Sequence, residues 1–237
     1  MLTAIAIVPS APVLVPELAG GAAPEIEDLR NAVCVAASAL PDRWIAVGVG
    51  THDAVVRPDS AGSFGGYGVD VRVALSPTRG EVIALPLCAL VTGWVRGQVR
   101  PAARAEVRVY AAGHDAGAAA DIGRRLRAEI DAADDPVGVL VVADGAHTLT
   151  PAAPGGYDPA AAGSQRALDD ALADGNAAAL MRLPARITGR VAWQVLAGLA
   201  EAPRSAKELY RAAPYGVGYF AGVWLPECAG PAWGAPG

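Results

Sequence analysis

A continuous apolar run covers residues 137–143 and consists of valine, leucine, alanine and one glycine. A run without polar alternation is typical of a strand that is covered on both faces, as in a sheet packed between helices. Similar runs cover residues 3–8 and 44–49, residues 106–111 are a further strand candidate, and helical patterns alternate with these segments along the chain. This order predicts an α/β protein with one three-layer domain, whose mostly buried mixed or parallel central sheet lies between helices.

The other elements are assigned from local patterns. Apolar residues at helical spacing predict a helix that opens at Pro24, one that begins at Pro86, and one that contains Ile122, Leu126 and Ile130. Further helices are predicted at about 162–183, 188–200 and 203–212, and further strands at 69–75 and 215–224. We expect residues 1–226 to form the domain and residues 227–237 to form a Pro/Gly-rich tail.

Composition allows a globular core and argues against several classes of function. Hydrophobic residues make up 53% of the chain and charged residues 18%, which allows a sizeable core. The formal charge of -5 argues against nucleic-acid or anionic-membrane binding, because phosphate contacts need clustered positive charge. The three cysteines form no CxxC pair, so neither a disulfide framework nor a zinc knuckle is predicted.

No targeting or membrane segment is predicted. The apolar start of the chain lacks the basic residues of a signal peptide and is soon broken by Pro9 and Pro12. No uninterrupted apolar run reaches the roughly 18 residues that a membrane-spanning helix needs. A cytoplasmic protein is therefore expected.

Each of the three histidines in the chain follows a strand-like apolar run or the short turn after it. These residues are His52, His114 and His147. In open α/β sheets the ligand pocket lies just beyond the carboxyl ends of the strands, so one cleft that gathers the three imidazoles is one hypothesis. Imidazole suits both proton transfer near neutral pH and the binding of transition metals. The alternative is three separate loop histidines, each satisfied by backbone or water.

The densest polar segment contains Asp144 and His147, three residues apart in a predicted loop. Such a pair can share a hydrogen bond in which the carboxylate orients the imidazole for acid–base work. In the alternative, Asp144 caps a turn and His147 packs on Tyr157. His114 directly precedes Asp115, which is predicted to cap the following helix.

Four motifs follow one another in order over nearly the whole chain. They are Pro9-Ser10-Ala11-Pro12-Val13-Leu14-Val15-Pro16-Glu17, Gly50-Thr51-His52, Ala143-Asp144-Gly145-Ala146-His147-Thr148-Leu149-Thr150-Pro151 running on to Gly156-Tyr157-Asp158, and Pro214-Tyr215-Gly216-Val217-Gly218-Tyr219. With these motifs the chain resembles the LigB-type class III extradiol ring-cleavage dioxygenases, and more closely their bacterial relatives akin to the MEMO proteins. The two later motifs are the more specific ones.

The resemblance implies a single α/β domain in which two histidines and one glutamate hold Fe(II), with a further histidine as acid/base. By position, His52 corresponds to the second iron histidine and His147 to the acid/base histidine, and His114 is matched to another pocket histidine. Ser10 stands where the family has its first iron histidine, and Arg190 stands where it has the iron glutamate. The usual Fe(II) chemistry is therefore not expected, because a guanidinium adds positive charge where a carboxylate should offset that of the metal.

Three functions remain open for a chain of this kind. The first is a dioxygenase-like or other metal-dependent enzyme, with a shifted site in which His52 and His147 are joined by Asp53, Glu17 or Asp144. The second is a metal-free pseudoenzyme that binds a protein partner or a small anionic molecule, for which Ser10, Asp53 and Arg190 are the substrate-binding candidates. The third is a hydrolase or isomerase that uses Asp144 and His147, with His114 nearby, without metal. A small aromatic or anionic ligand is expected, and homo-oligomerisation is left open.

Overall fold

The computed structural model describes residues 1–78 and 80–227. Seven strands form one mixed sheet in the order β3-β6-β2-β7-β1-β9-β8, and β4 and β5 form a separate small hairpin. The strands are β1 (Leu2–Val8), β2 (Arg43–Gly50), β3 (Ala54–Val56), β4 (Ala61–Ser63), β5 (Arg72–Ala74), β6 (Arg104–Ala111), β7 (Val137–Val142), β8 (Ser205–Ala212) and β9 (Tyr219–Leu225). The α-helices are α1 (Pro16–Ala19), α2 (Glu27–Ser38), α3 (Leu87–Val99), α4 (Ala116–Asp131), α5 (Ala161–Asp174), α6 (Ala177–Leu180) and α7 (Arg190–Leu199), and 3₁₀ turns cover Pro12–Leu14, Gly20–Ile26 and Phe64–Tyr67.

The four central strands β6, β2, β7 and β1 are adjacent and parallel. Their carboxyl ends therefore meet at one edge of the sheet. The outer strands β3, β9 and β8 are antiparallel to their neighbours, so the sheet is mixed.

Helices cover both faces of the sheet. Along β1, the side chains of Ala4, Ala6 and Val8 join a buried cluster with α2 and α3. The alternate side chains Ile5 and Ile7 join a second buried cluster with α4, α5 and α7. Because successive side chains of a strand point to opposite faces, these two clusters are the two halves of a three-layer α/β domain, as predicted.

Helices α4 and α7 cross at glycines. A Cβ added at Gly198 would lie 2.0 Å from the carbonyl oxygen of Ala120, and one added at Gly123 would lie 2.1 Å from that of Val195. Each helix thus presents a glycine to the backbone of the other, and the two axes approach closely.

The structure corrects several predicted elements. Residues 203–212 were predicted as a short helix, but Ser205–Ala212 is strand β8, since it pairs with β9 along its whole length. The helix predicted over 162–183 is two helices, because Gly175 adopts a left-handed conformation with φ of 67° and Asn176 caps the next helix. The predicted tail lies, from residue 228 onward, outside the described residues. Among the helices of the described part, none is long and apolar enough to cross a membrane.

Candidate functional site

The strand order places the predicted site residues at the carboxyl edge of the sheet. Ser10 follows β1, His52 follows β2, His114 follows β6 and Asp144 follows β7. Since Gly48 pairs with Val142, β2 extends two residues beyond the end of β7, and the two loops leave the same edge of the sheet one strand spacing apart. The three histidine loops therefore share one edge, although the side chains make separate contacts.

His114 is paired with Asp53, which the sequence assigns to substrate binding. The imidazole Nε2 lies 2.8 Å from Asp53 Oδ1 and 3.0 Å from Oδ2, and the amide of Ala111 donates to Oδ1 at 2.7 Å. The amide of Ala111, and secondarily His114, hold the pKa of Asp53 below its ordinary value. This carboxylate therefore joins the loop after β2 to the end of β6.

Arg190 lies at the start of α7 and bonds within the protein. Its Nη2 donates to the carbonyl oxygens of Ala112 at 3.1 Å and His114 at 2.9 Å, and its Nη1 donates to Gln194 Oε1 at 2.9 Å. The guanidinium thus fastens the loop after β6 to α7. Three of its donor bonds are spent on these acceptors, which leaves fewer for a ligand.

Asp144 is held on two sides. Its Oδ1 accepts from the backbone amide of Ser10 at 2.8 Å, and its carbonyl oxygen accepts from the amide of Gly189 at 2.9 Å and the indole of Trp193 at 3.3 Å. Desolvation in this partly buried position raises the pKa of Asp144 to about 7. Burial, and secondarily the nearby Asp144, also raise the pKa of Tyr219.

The predicted hydrogen bond between Asp144 and His147 is not among the contacts of either side chain. The carboxylate bonds toward β1, whereas His147 Nδ1 lies 2.9 Å from Thr188 Oγ1, ahead of α7. Gly155 closes over the imidazole, since a Cβ there would lie 2.5 Å from His147 Nε2. A spacing of three residues left the direction of each side chain undetermined, and the neighbouring elements decide it.

Sequence reasoning missed Gln165, which supports the loop from beneath. This buried side chain accepts from the amide of Ala146 at 2.8 Å and donates to Asp169 Oδ1 at 2.8 Å. Burial raises the pKa of Asp169 to about 6. A glutamine among the apolar positions of α5 was the available signal, because a buried amide needs partners.

A cavity of about 530 Å³ opens beside His52. Its walls come from the end of β2, from β3 and from the segment that precedes α3, and Arg57 lines it. A larger cavity of about 710 Å³ lies at the opposite, amino edge of the sheet, where charged pairs such as Arg100 with Asp42 line it. We place the site at the carboxyl edge, because ligands of open α/β sheets bind there.

The donor set of this edge does not fit Fe(II). By the resemblance drawn from the sequence, Ser10 and Arg190 stand at two of the three ligand positions, and a hydroxyl and a guanidinium do not replace an imidazole and a carboxylate as ligands of Fe(II). His52 Nδ1 lies 3.0 Å from Thr51 Oγ1. Within residues 1–78 and 80–227, no three histidine, cysteine, aspartate or glutamate side chains are grouped so that they could hold a metal ion.

Comparisons with known proteins identify the fold alone. No family model and no curated protein matches the chain. Among solved structures, an uncharacterized protein, JW3007, from Escherichia coli K12 is similar, with a TM-score of 0.55 and 9% sequence identity over 94% of this chain and 99% of that one. At this identity the similarity carries the three-layer architecture and no activity.

Proposed function

We propose that this chain is a relative of the LigB-type extradiol dioxygenases that binds a small anionic molecule at the carboxyl edge without iron. Four motifs in family order support the relationship, and they fall on loops that the sheet brings to one edge. The dioxygenase activity itself requires an iron site that these residues do not supply.

The observation that carries the proposal is the engagement of Arg190. In the sequence match Arg190 corresponds to the iron glutamate of the family, and its guanidinium donates to two carbonyl oxygens of the loop after β6. A cation fixed there disfavours a divalent metal and favours an anion. The edge is therefore better suited to negative ligands than to metal ions.

Metal retention tests this proposal. After anaerobic incubation with Fe(II), Mn(II) and Zn(II) and then desalting, we expect mass spectrometry to find no stoichiometric metal in the protein, since two of three family ligands are replaced. The His52→Ala variant serves as the control and should give the same background. Stoichiometric metal in the wild type that is lost in His52→Ala would contradict the proposal.

A second candidate function is metal-independent acid–base catalysis, which the environment of Asp144 favours. A carboxyl group with a pKa of about 7 exchanges its proton at neutral pH, as a general acid or base must. The phenol of Tyr219 lies near it.

The second candidate predicts hydrolysis of activated aryl esters with a rate that follows one ionisation near neutral pH. Asp144→Asn should abolish this rate, because the amide cannot exchange the proton. Asp134→Asn makes the same change of carboxyl to amide at an exposed position before β7, at the opposite edge of the sheet, and is the matched control. A rate that Asp144→Asn leaves unchanged would eliminate this function.

Location and partners also stand as proposals. We propose a cytoplasmic protein that binds neither nucleic acid nor membranes, consistent with its net charge of -5.

A further inference from the structure

The cavity beside His52 is built into the sheet edge. It extends from Gly50 and Thr51 at the end of β2 to Leu85 and Pro86 at the entry of α3. Gly50 accommodates the side chain of Val109, another lining residue, since a Cβ at Gly50 would lie 2.5 Å from a methyl carbon of Val109. Its volume of about 530 Å³ falls within the roughly 300–1,000 Å³ that is usual for small-molecule sites.

The walls of the cavity are mostly apolar. Val55, Ile83, Leu85 and Val109 contribute to them. Val55 is 54% exposed and Ile83 is 49% exposed, which is high for large hydrophobic side chains. An apolar ligand that covers these two side chains would remove their surface from water.

The polar groups of the lining carry positive charge and hydrogen-bonding capacity. They are Thr51, His52, Arg57 and Ser60, and no acidic residue contributes to the lining. Two carboxylates adjoin the lining in sequence. That of Asp53 is taken by the amide of Ala111 and by His114, and that of Asp59 belongs to an exposed residue that does not line the cavity.

Arg57 is the charged group of this cavity. No ion pair or hydrogen bond joins its guanidinium to any residue of the described part of the chain. Many arginines of this protein have carboxylate partners, as Arg108 does with Glu106 at 2.6 Å. Arg57 therefore offers a permanent positive charge in the lining of a mostly apolar cavity, with its donors free for an anion.

We propose that this cavity binds a small organic monoanion with an apolar body. The carboxylate or sulfonate group lies at Arg57, and the body packs against Val55, Ile83 and Leu85. His52, which also lines the cavity, supplies a further hydrogen-bonding group. The inference rests on the proposed function for the carboxyl edge as the ligand site, but it holds whether or not a metal binds.

Two fluorescent probes of similar size test the proposal. Anilinonaphthalene sulfonate carries one negative charge on an apolar body, and phenylnaphthylamine has almost the same body without the charge. We expect the anion to bind the wild-type protein more tightly than the neutral probe. Arg57→Gln should weaken binding of the anion about tenfold, because a charge-assisted hydrogen bond is lost, and should leave the neutral probe unchanged.

Arg166→Gln is the matched control, because Arg166 is an exposed arginine of α5 on the other face of the sheet. This variant should bind both probes as the wild type does. Val55→Asp places a carboxylate in the wall and should reduce anion binding at least as much as Arg57→Gln. Near-ultraviolet circular dichroism of each variant checks that the tertiary packing is kept.

Equal binding of the two probes, or anion binding that Arg57→Gln leaves unchanged, would overturn the proposal. So would an equal loss in Arg166→Gln, which would indicate attraction to surface charge alone. Metal retention is a separate measurement. A stoichiometric metal would refute the iron-free function but leave the anion cavity standing, whereas probe results that fail would refute the cavity alone.

Discussion

Gly198→Ala is expected to lower the free energy of unfolding by about 3 kcal/mol, at the upper end of the usual cost of overpacking. The added methyl group would lie 2.0 Å from the carbonyl oxygen of Ala120, which is backbone and cannot rotate away. Helices α4 and α7 must then separate, and the apolar contacts between them loosen. Urea denaturation followed by circular dichroism measures the change.

Gly97→Ala in α3 is the matched control for this substitution. A Cβ at Gly97 would meet no atom within 4 Å, so the helix gains propensity without a clash. The variant should be as stable as the wild type or up to about 1 kcal/mol more stable. If Gly198→Ala proved equally harmless, the close crossing of α4 and α7 would be wrong.

Asp144→Asn is expected to stabilise the protein near pH 8 by about 2–4 kcal/mol, because ionising a desolvated carboxyl opposes folding. The pKa of Asp144 is about 7 in the folded protein, against about 3.9 in an unfolded chain. The fold therefore favours the protonated carboxyl. This contribution is fully present below about pH 4 and is lost as the pH rises through 7, because the desolvated group must then ionise. Asparagine keeps the oxygen that accepts from Ser10 and carries no charge.

Urea denaturation at about pH 4, 6 and 8 measures this effect as a stability difference that grows with pH. Asp59→Asn, at an exposed position, is the control and should show no such trend. A constant difference between Asp144→Asn and wild type over this range would mean that the carboxyl is solvated.

The strands of the central sheet could be predicted because their apolar runs leave no other arrangement that buries them. Residues 137–143 illustrate this, since their uninterrupted pattern predicts β7 almost to its ends. Strand β8 was missed because Ser205–Ala212 is half exposed and mixes polar with apolar residues. For such a segment, pairing with β9 decides between helix and strand, and this pairing is not local.

The site was predictable to the level of the sheet edge and no further. Parallel strands bring the loops of His52, His114 and Asp144 together, which follows from topology alone. The direction of each side chain depends on α7 and on residues distant in sequence, as with Thr188 beside His147. Arg57 was missed because one exposed arginine in a loop has no pattern that distinguishes it.

The bonds of α7 divide the carboxyl edge into two parts that differ in how firmly they are attached to the rest of the protein. Arg190 joins this helix to the loop after β6, Trp193 joins it to Asp144, and Gly198 seats it on α4. The loop after β6, Asp144, α7 and α4 therefore form the first part, in which any displacement would have to break several bonds together. The wall on the other side of His52 reaches the large sheet through β3, which is three residues long. We therefore expect any adjustment to the shape of a ligand to occur in that wall and not on the Asp144 side of the edge.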